Sequence, residues 1–165
     1  MNKIIKLLVI SLFLLILVGC GSKAYTYEES NGKVTISEYT GSDAYVIVPD
    51  AYLGKMVDAI DYNTYAYNIN IYHVRLSDGI KVIKDCAFWY CTNLESIYIP
   101  KGLEEIKECA FYRCDNLKYV FFEETEANIN IEILASNECF KNAQAQYNVS
   151  VEDYERIIGY KGDLK

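Results

Sequence analysis

Six cysteines and a single histidine are the side chains with the widest chemical reach in this 165-residue chain. Cys86 and Cys91 recur as Cys109 and Cys114, so one spacing appears twice at an offset of 23 residues, while Cys20 and Cys139 stand apart. Thiols in this pattern have three readings: small buried side chains, a disulfide between equivalent positions, or metal ligands. The gap within each pair is longer than the ligand spacing of zinc ribbons, so no metal and no other cofactor is expected. Besides Cys20 the number of cysteines is odd, which leaves at least one thiol unpaired in any disulfide scheme. His73 has no acid-base partner near it in sequence and reads as an exposed contact residue, not a catalyst. Nor does the chain carry a nucleophile motif, a recognisable pair of catalytic acids or a phosphate loop. An enzyme is not expected.

Side chains act together only if something holds them in register, and that register is visible in the apolar residues. Ile80, Ile83, Phe88, Cys91, Leu94, Ile97 and Ile99 recur as Leu103, Ile106, Phe111, Cys114, Leu117, Val120 and Phe122, each displaced by 23. One period earlier, Val57, Ile60, Tyr65, Asn68, Ile71, Val74 and Leu76 form a weaker copy. Phe140 follows Phe111 by one period plus an insertion around Glu123 to Asn128. A unit this short cannot bury its own apolar set, so units must stack and cover one another. The alternation Ile97-x-Ile99 predicts a strand with those two side chains inward and Ser96 and Tyr98 outward. Stacking at about 4.8 Å then builds columns of like residues. These are Ile60/Ile83/Ile106, Tyr65/Phe88/Phe111 and Ile71/Leu94/Leu117. Asn70, Asn93 and Asn116 form one more column, whose amides are expected to bond to the backbone of the adjacent turn.

Composition agrees with a folded domain. The chain is 52% hydrophobic and 24% charged, with only 2 Pro and 9 Gly, which excludes a disordered or linker-like chain. A net charge of −7 and a pI near 4.8 argue against a nucleic-acid partner, since phosphate binding needs a basic face. The 16 tyrosines suit half-buried strand surfaces and contact faces.

A stack needs caps at its open ends. At the front, Lys33 to Tyr39 and Tyr45 to Val48 read as a hairpin around Thr40 to Asp43, with an extra loop from Asp50 to Lys55. At the back, Ser150 reads as a helix N-cap with Asp153 at its third position. Tyr154, Ile157 and Ile158 follow as an apolar stripe, and Gly159 is the stop. The preceding strand points either Val149 and Val151 or Tyr147 and Val149 inward, and a helix start at Ser150 favours the second.

The run Ala87-Phe88-x-x-Cys91-x-x-Leu94-x-x-Ile97-x-Ile99-Pro100 resembles the repeat of the BspA-like leucine-rich-repeat family. Ala110 to Phe122 matches it again without the closing proline, and the stretch from Gly32 to Pro49 resembles that family's first unit. The resemblance implies a β-rich solenoid: a short leucine-rich-repeat stack of 23-residue coils, with an N-terminal β-hairpin cap and a short C-terminal helix. It also implies a surface protein used for adhesion and protein contact, with no shared catalytic residue. In that family the positions of Cys91 and Cys114 hold a small inward residue. Cys86 and Cys109 lie outside those core positions and are the better disulfide candidates.

The first twenty residues stand outside the repeat. Lys3 and Lys6 precede an apolar run from Leu7 to Val18, too short for a membrane span and suited to a secretory leader. It closes with Leu17-Val18-Gly19-Cys20, which resembles the lipobox of bacterial lipoprotein signal peptides. That implies cleavage before Cys20 and lipidation of its sulfur. Cleavage there would remove two of the 16 basic residues and move the net charge from −7 to −9. The expected organisation is a signal peptide over 1–19, a lipidated tether over 20–29, the repeat domain with its caps over 30–160, and a tail over 161–165. The expected location is extracytoplasmic, on a bacterial cell envelope. The membrane is reached through the lipid anchor alone.

Reading the outward strand positions across successive coils gives two columns. One holds Tyr45, His73, Ser96 and Tyr119; the other holds Ile47, Arg75, Tyr98 and Phe121. Aromatics with an arginine on a solvated sheet face make a candidate contact patch for a protein or a surface glycan. Its named members are Tyr45, His73, Arg75, Tyr98, Tyr119 and Phe121. Cross-strand pairing that merely stabilises the sheet is the competing reading. Trp89 and Tyr112 lie on the opposite side. A scaffold that holds a partner within the envelope is the alternative to an adhesin.

Overall fold

The computed structural model describes residues 25–129, 140 and 142–162. Its path is a solenoid of about four coils. Each coil lays one strand into a first sheet, turns through a ridge, and lays a second strand into a second sheet.

The first sheet runs β1 (Tyr25–Ser30), β2 (Lys33–Tyr39), β5 (Lys55–Ile60), β7 (Val82–Ile83) and β9 (Glu105–Ile106), with β4 (Ala51–Tyr52) pairing on β5. The second sheet runs β3 (Tyr45–Ile47), β6 (His73–Arg75), β8 (Ser96–Ile99), β10 (Tyr119–Phe122) and β11 (Gln144–Gln146). Neighbouring coils pair in parallel with the offset read from the sequence: Val74 meets Ile97, Ile97 meets Val120, and Ile83 meets Ile106.

The columns exist because like side chains fit best on like neighbours at the strand spacing. Tyr65, Phe88, Phe111 and Phe140 stack through the interior at centroid separations of 4.7, 4.9 and 5.0 Å. All four belong to one continuous buried core with Ile60, Ile83, Ile97 and Val120. Two members of the asparagine column form a ladder, Asn93 Nδ2 donating to the Ile69 carbonyl and Asn116 Nδ2 to that of Thr92, each at 2.7 Å, while one coil earlier Asn68 Nδ2 donates to the Gly41 carbonyl at 3.0 Å. A second ladder was hidden in the cysteines: Cys91 Sγ donates to the Tyr65 carbonyl and Cys114 Sγ to that of Phe88, both at 3.1 Å.

The ridge turns use left-handed backbone at two repeated positions. Asn63, Cys86 and Cys109 have φ of 59°, 57° and 58°; Tyr67, Tyr90 and Arg113 have 60°, 58° and 62°. Side-chain-bearing residues adopt this conformation reluctantly. The turns are held by hydrogen bonds to the next coil, such as Tyr67 N–H to the Trp89 carbonyl (2.7 Å) and Tyr90 N–H to that of Tyr112 (2.8 Å).

A hairpin caps the front and a short helix closes the back as expected, but the hairpin is built from other strands. The front hairpin joins β1 to β2 through Asn31-Gly32, while β2 and β3 lie in different sheets. The tether reading of 20–29 is therefore corrected over Tyr25–Glu29, which forms a paired strand. Tyr25 and Tyr27 fit because they cover Tyr39 and Tyr52, at 4.9 and 4.1 Å. The last strand is β11, a few residues before the one expected. Tyr147 stacks on Phe122 (5.4 Å), and Val149 is buried in a different cluster.

Candidate functional site

The helix α1 (Val151–Ile157) starts as the sequence predicts, with Asp153 N–H donating to Ser150 Oγ at 3.1 Å, and it stops at Gly159 with φ of 72°. Its buried residue is Tyr154, with Ile158 packed beside it; Ile157 points to solvent. A helix places residues i and i+4 on one face, so the stripe is Tyr154 and Ile158 without Ile157.

That face lies across the outer side of the second sheet, over the patch expected to be exposed. Tyr98 and Phe121 are 0% exposed and pack on Tyr154 at 5.4 and 5.1 Å, in a cluster separate from the main core. Tyr45 donates its hydroxyl to Glu155 (3.1 Å), and Arg75 pairs with the same carboxylate at 3.0 Å. The structure thus brings Tyr45, Arg75, Tyr98 and Phe121 together around the chain's own helix. The expectation that Tyr98 and Phe121 face solvent is overturned, because their apolar area is worth more under Tyr154 than in water. Tyr119, at the margin, keeps 37% exposure beside Phe121.

His73 is half-buried instead of exposed. Its Nδ1 lies 2.8 Å from Ser96 Oγ, which lies 3.1 Å from the Tyr154 hydroxyl, which donates to the Val74 carbonyl at 3.1 Å. The carbonyl can only accept, so the direction of the chain follows. Tyr154 donates to Val74, Ser96 donates to Tyr154, and His73 Nδ1 carries the proton that Ser96 accepts. A serine whose own proton is committed, 1% exposed under Tyr154, is positioned to bind the helix and not to attack a substrate. Burial pulls the His73 pKa below its ordinary 6.5, with Lys118 adding to the shift and Glu95 opposing it. Burial likewise raises the phenols of Tyr45, Tyr98 and Tyr154, so each stays neutral.

Cys86, Cys91, Cys109 and Cys114 are thiols in this structure, Cys109 exposed and the other three buried. Burial raises the Cys86 thiol pKa, with Cys109 and Asp85 adding to it, which keeps it out of the reactive thiolate form. Among the described residues no three His, Cys, Asp or Glu side chains gather as a metal site. Cys20 and Cys139 lie outside the described residues.

The opposite side carries a further group of accessible aromatics. Tyr67 and Tyr90 stack at 5.4 Å, Arg113 lies 5.7 Å over the Tyr90 ring, and Trp89 meets Tyr112 edge-on at 5.7 Å. Tyr67 is 66% exposed and Tyr112 42%. The sequence pointed to Trp89 and Tyr112 but not to the Tyr67/Tyr90/Arg113 column. The signal was present, since these three share the 23-residue offset.

A family model described as the BspA type leucine-rich repeat region matches residues 57–158 in six copies. The chain is similar in structure to a leucine-rich repeat protein from Bacteroides capillosus ATCC 29799, at 21% identity and a TM-score of 0.60, covering 77% of this chain and 97% of that one. A leucine-rich repeat protein from Bacteroides ovatus ATCC 8483 matches at 19% identity and a TM-score of 0.54, covering 79% of this chain and 33% of that one. At these identities the likeness speaks for the fold. No curated protein matches the chain.

Proposed function

The chain belongs to the BspA type leucine-rich repeat family, and from that premise we propose that it is a non-catalytic protein-binding module on the bacterial cell surface, anchored through lipid on Cys20. The observation that carries the reading is the cluster of exposed Tyr67, Tyr112 and Arg113, with Trp89 and Tyr90 partly exposed between them. Tyr, Trp and Arg are the side chains that dominate binding energy at protein contacts, because each offers a large rigid or planar surface with a polar end. Here they stand on turns fixed to adjacent coils, so little freedom is lost when a partner settles on them. Adhesion to a protein outside the cell is the role this surface fits.

The test is capture by the full chain against a Tyr67→Ala/Tyr112→Ala double variant. Each side chain is expected to contribute about 2 kcal/mol or more of binding, roughly 30-fold, with melting near wild type. Capture that survives the double substitution at equal folded concentration would reject the ridge. Anchoring is tested separately by Cys20→Ser, which is expected to abolish acyl-probe labelling; labelling that persists would reject the lipoprotein reading.

A further inference from the structure

The ridge turns put two thiols side by side. Cys86 and Cys109 occupy the same position in adjacent coils, three residues after Ile83 and Ile106, which pair across β7 and β9. Backbone hydrogen bonds bracket them: Lys107 N–H donates to the Ile83 carbonyl at 2.9 Å before the pair, and Phe88 N–H to the Ala110 carbonyl at 2.8 Å after it. The two backbones are therefore held at neighbouring-strand spacing, about 4.8 Å. A disulfide spans Cα atoms roughly 4.4–6.8 Å apart. Both residues are left-handed, with φ of 57° and 58°, so their Cα–Cβ bonds leave the turns in parallel. Closing a bond between them needs the Cβ atoms to tilt together by several tenths of an ångström, about what the turn of one side chain supplies.

Cys91 and Cys114 share the same offset and the same spacing, yet differ in the two properties that matter. They are 0% and 1% exposed, which shuts out an oxidant, and their thiols already donate to the Tyr65 and Phe88 carbonyls. Cys109 is exposed, and Cys86, at 6%, is almost closed off from solvent beside it. The two are close enough for Cys109 to act on the Cys86 thiol. An exposed thiol next to a covered one fixes an order of events: the first meets the oxidant and the second resolves the adduct.

We propose that Cys86 and Cys109 are an oxidisable pair that closes into a disulfide between two ridge turns, with Cys109 as the entry thiol and Cys86 as the resolving one. The oxidant is the disulfide of an extracytoplasmic thiol pool or of a thiol–disulfide oxidoreductase. The Cys109 thiolate attacks one sulfur of that disulfide, forms a mixed disulfide and expels one thiolate. Cys86 Sγ then attacks Cys109 Sγ and expels the second. Two cysteine thiols are oxidised to one disulfide, the oxidant disulfide is reduced to two thiols, and each expelled thiolate takes up a proton that a cysteine has released.

The bond lies at the base of the contact ridge. Trp89 N–H donates to the Cys86 carbonyl and Tyr112 N–H to that of Cys109, each at 3.0 Å. Oxidation clamps together the turns that carry Trp89, Tyr90, Tyr112 and Arg113, and reduction frees them to move separately. The oxidising compartment rests on the reading of the chain as a surface protein, but the chemistry of the pair does not.

Disulfide mapping tests the proposal. The full chain is equilibrated with an excess of oxidised glutathione, its remaining thiols are alkylated, and tryptic peptides are read by mass. Cleavage after Lys84, Lys101, Lys107 and Arg113 puts Cys86 and Cys91 on 85–101, Cys109 on 108–113 and Cys114 on 114–118. The expected product is 85–101 joined to 108–113, parted by dithiothreitol and still formed in Cys91→Ser. In Cys86→Ser the resolving thiol is gone, and Cys109 is expected to stop at the glutathione adduct. Oxidation is expected to raise the melting temperature of the wild type by about 5 °C and that of Cys109→Ser not at all. Wild-type Cys109 recovered alkylated, as a lasting glutathione adduct, or joined to Cys114 or Cys139 overturns the assignment, and so does a link that leaves melting unraised. Mapping uses neither capture nor a lipid anchor, so its failure leaves the ridge and the anchor standing, and their failure leaves the pair.

Discussion

The two faces of the second sheet are made by the same strands and follow different rules. On the inner face Val46, Val74, Ile97 and Val120 stand one above another, and each coil presents nearly the side chain its neighbour needs. On the outer face Tyr45, Arg75, Tyr98 and Phe121 share little beyond facing the same way, and a single helix bonds the first two and covers the rings of the last two. Repetition solves burial where side chains are alike. Where they differ, a segment from elsewhere in the chain must be shaped to the surface.

The comparison breaks most visibly at Phe111, which sits between Phe88 and Phe140. Phe111→Ala is expected to cost about 3–5 kcal/mol, read as a large drop in melting temperature. A curve near wild type would mean that the column is not the core. Tyr154→Ala removes a side chain of the same class but is expected to cost less, about 2 kcal/mol, because release of α1 caps the loss. Equal costs at the two positions would erase the distinction between the faces. Asn93→Ala deletes the bond to the Ile69 carbonyl in a partly solvated turn and is expected to cost about 1 kcal/mol, measured by chemical denaturation.

The smallest effect concerns protons. His73 has its pKa lowered in the folded protein, chiefly by burial, so folding favours the neutral ring. The associated stability is present above the ordinary value of 6.5 and is lost as pH falls through it toward the lowered folded value. His73→Gln is therefore expected to melt with a shallower decline than wild type below pH 6.5. Parallel declines would show that the histidine carries no linkage.

The coils were legible because a strict 23-residue offset is visible without any structure, and stacking leaves one register that buries every apolar column. The helix, its Ser150 cap and its Gly159 stop were legible for local reasons. What could not be read was where the helix docks. Tyr154 and Tyr98 are far apart in sequence and share no periodicity, and nothing local distinguishes an outward tyrosine that stays wet from one that is covered. The same holds for β1. Tyr25 and Tyr27 look like tether residues until Tyr39 and Tyr52 are seen to need cover. The Tyr67/Tyr90/Arg113 column was available to the same period search, but its residue types differ and the pattern of like residues passed over it.

The reach of α1 has a consequence for how the molecule folds and unfolds. A stack of coils that touch only their neighbours is a one-dimensional array, free to fray from either end and to nucleate at any unit. Here Tyr45 on the first strand of the second sheet and Phe121 on the fourth both bind the same seven-residue helix, with Arg75 and Tyr98 between them. The Tyr45–Glu155 bond closes a loop of 110 residues. Closing it late in folding adds a slow, non-local step to an otherwise local process. While closed, it ties the first coil to the fourth, so either end of the array frays only after the helix has let go.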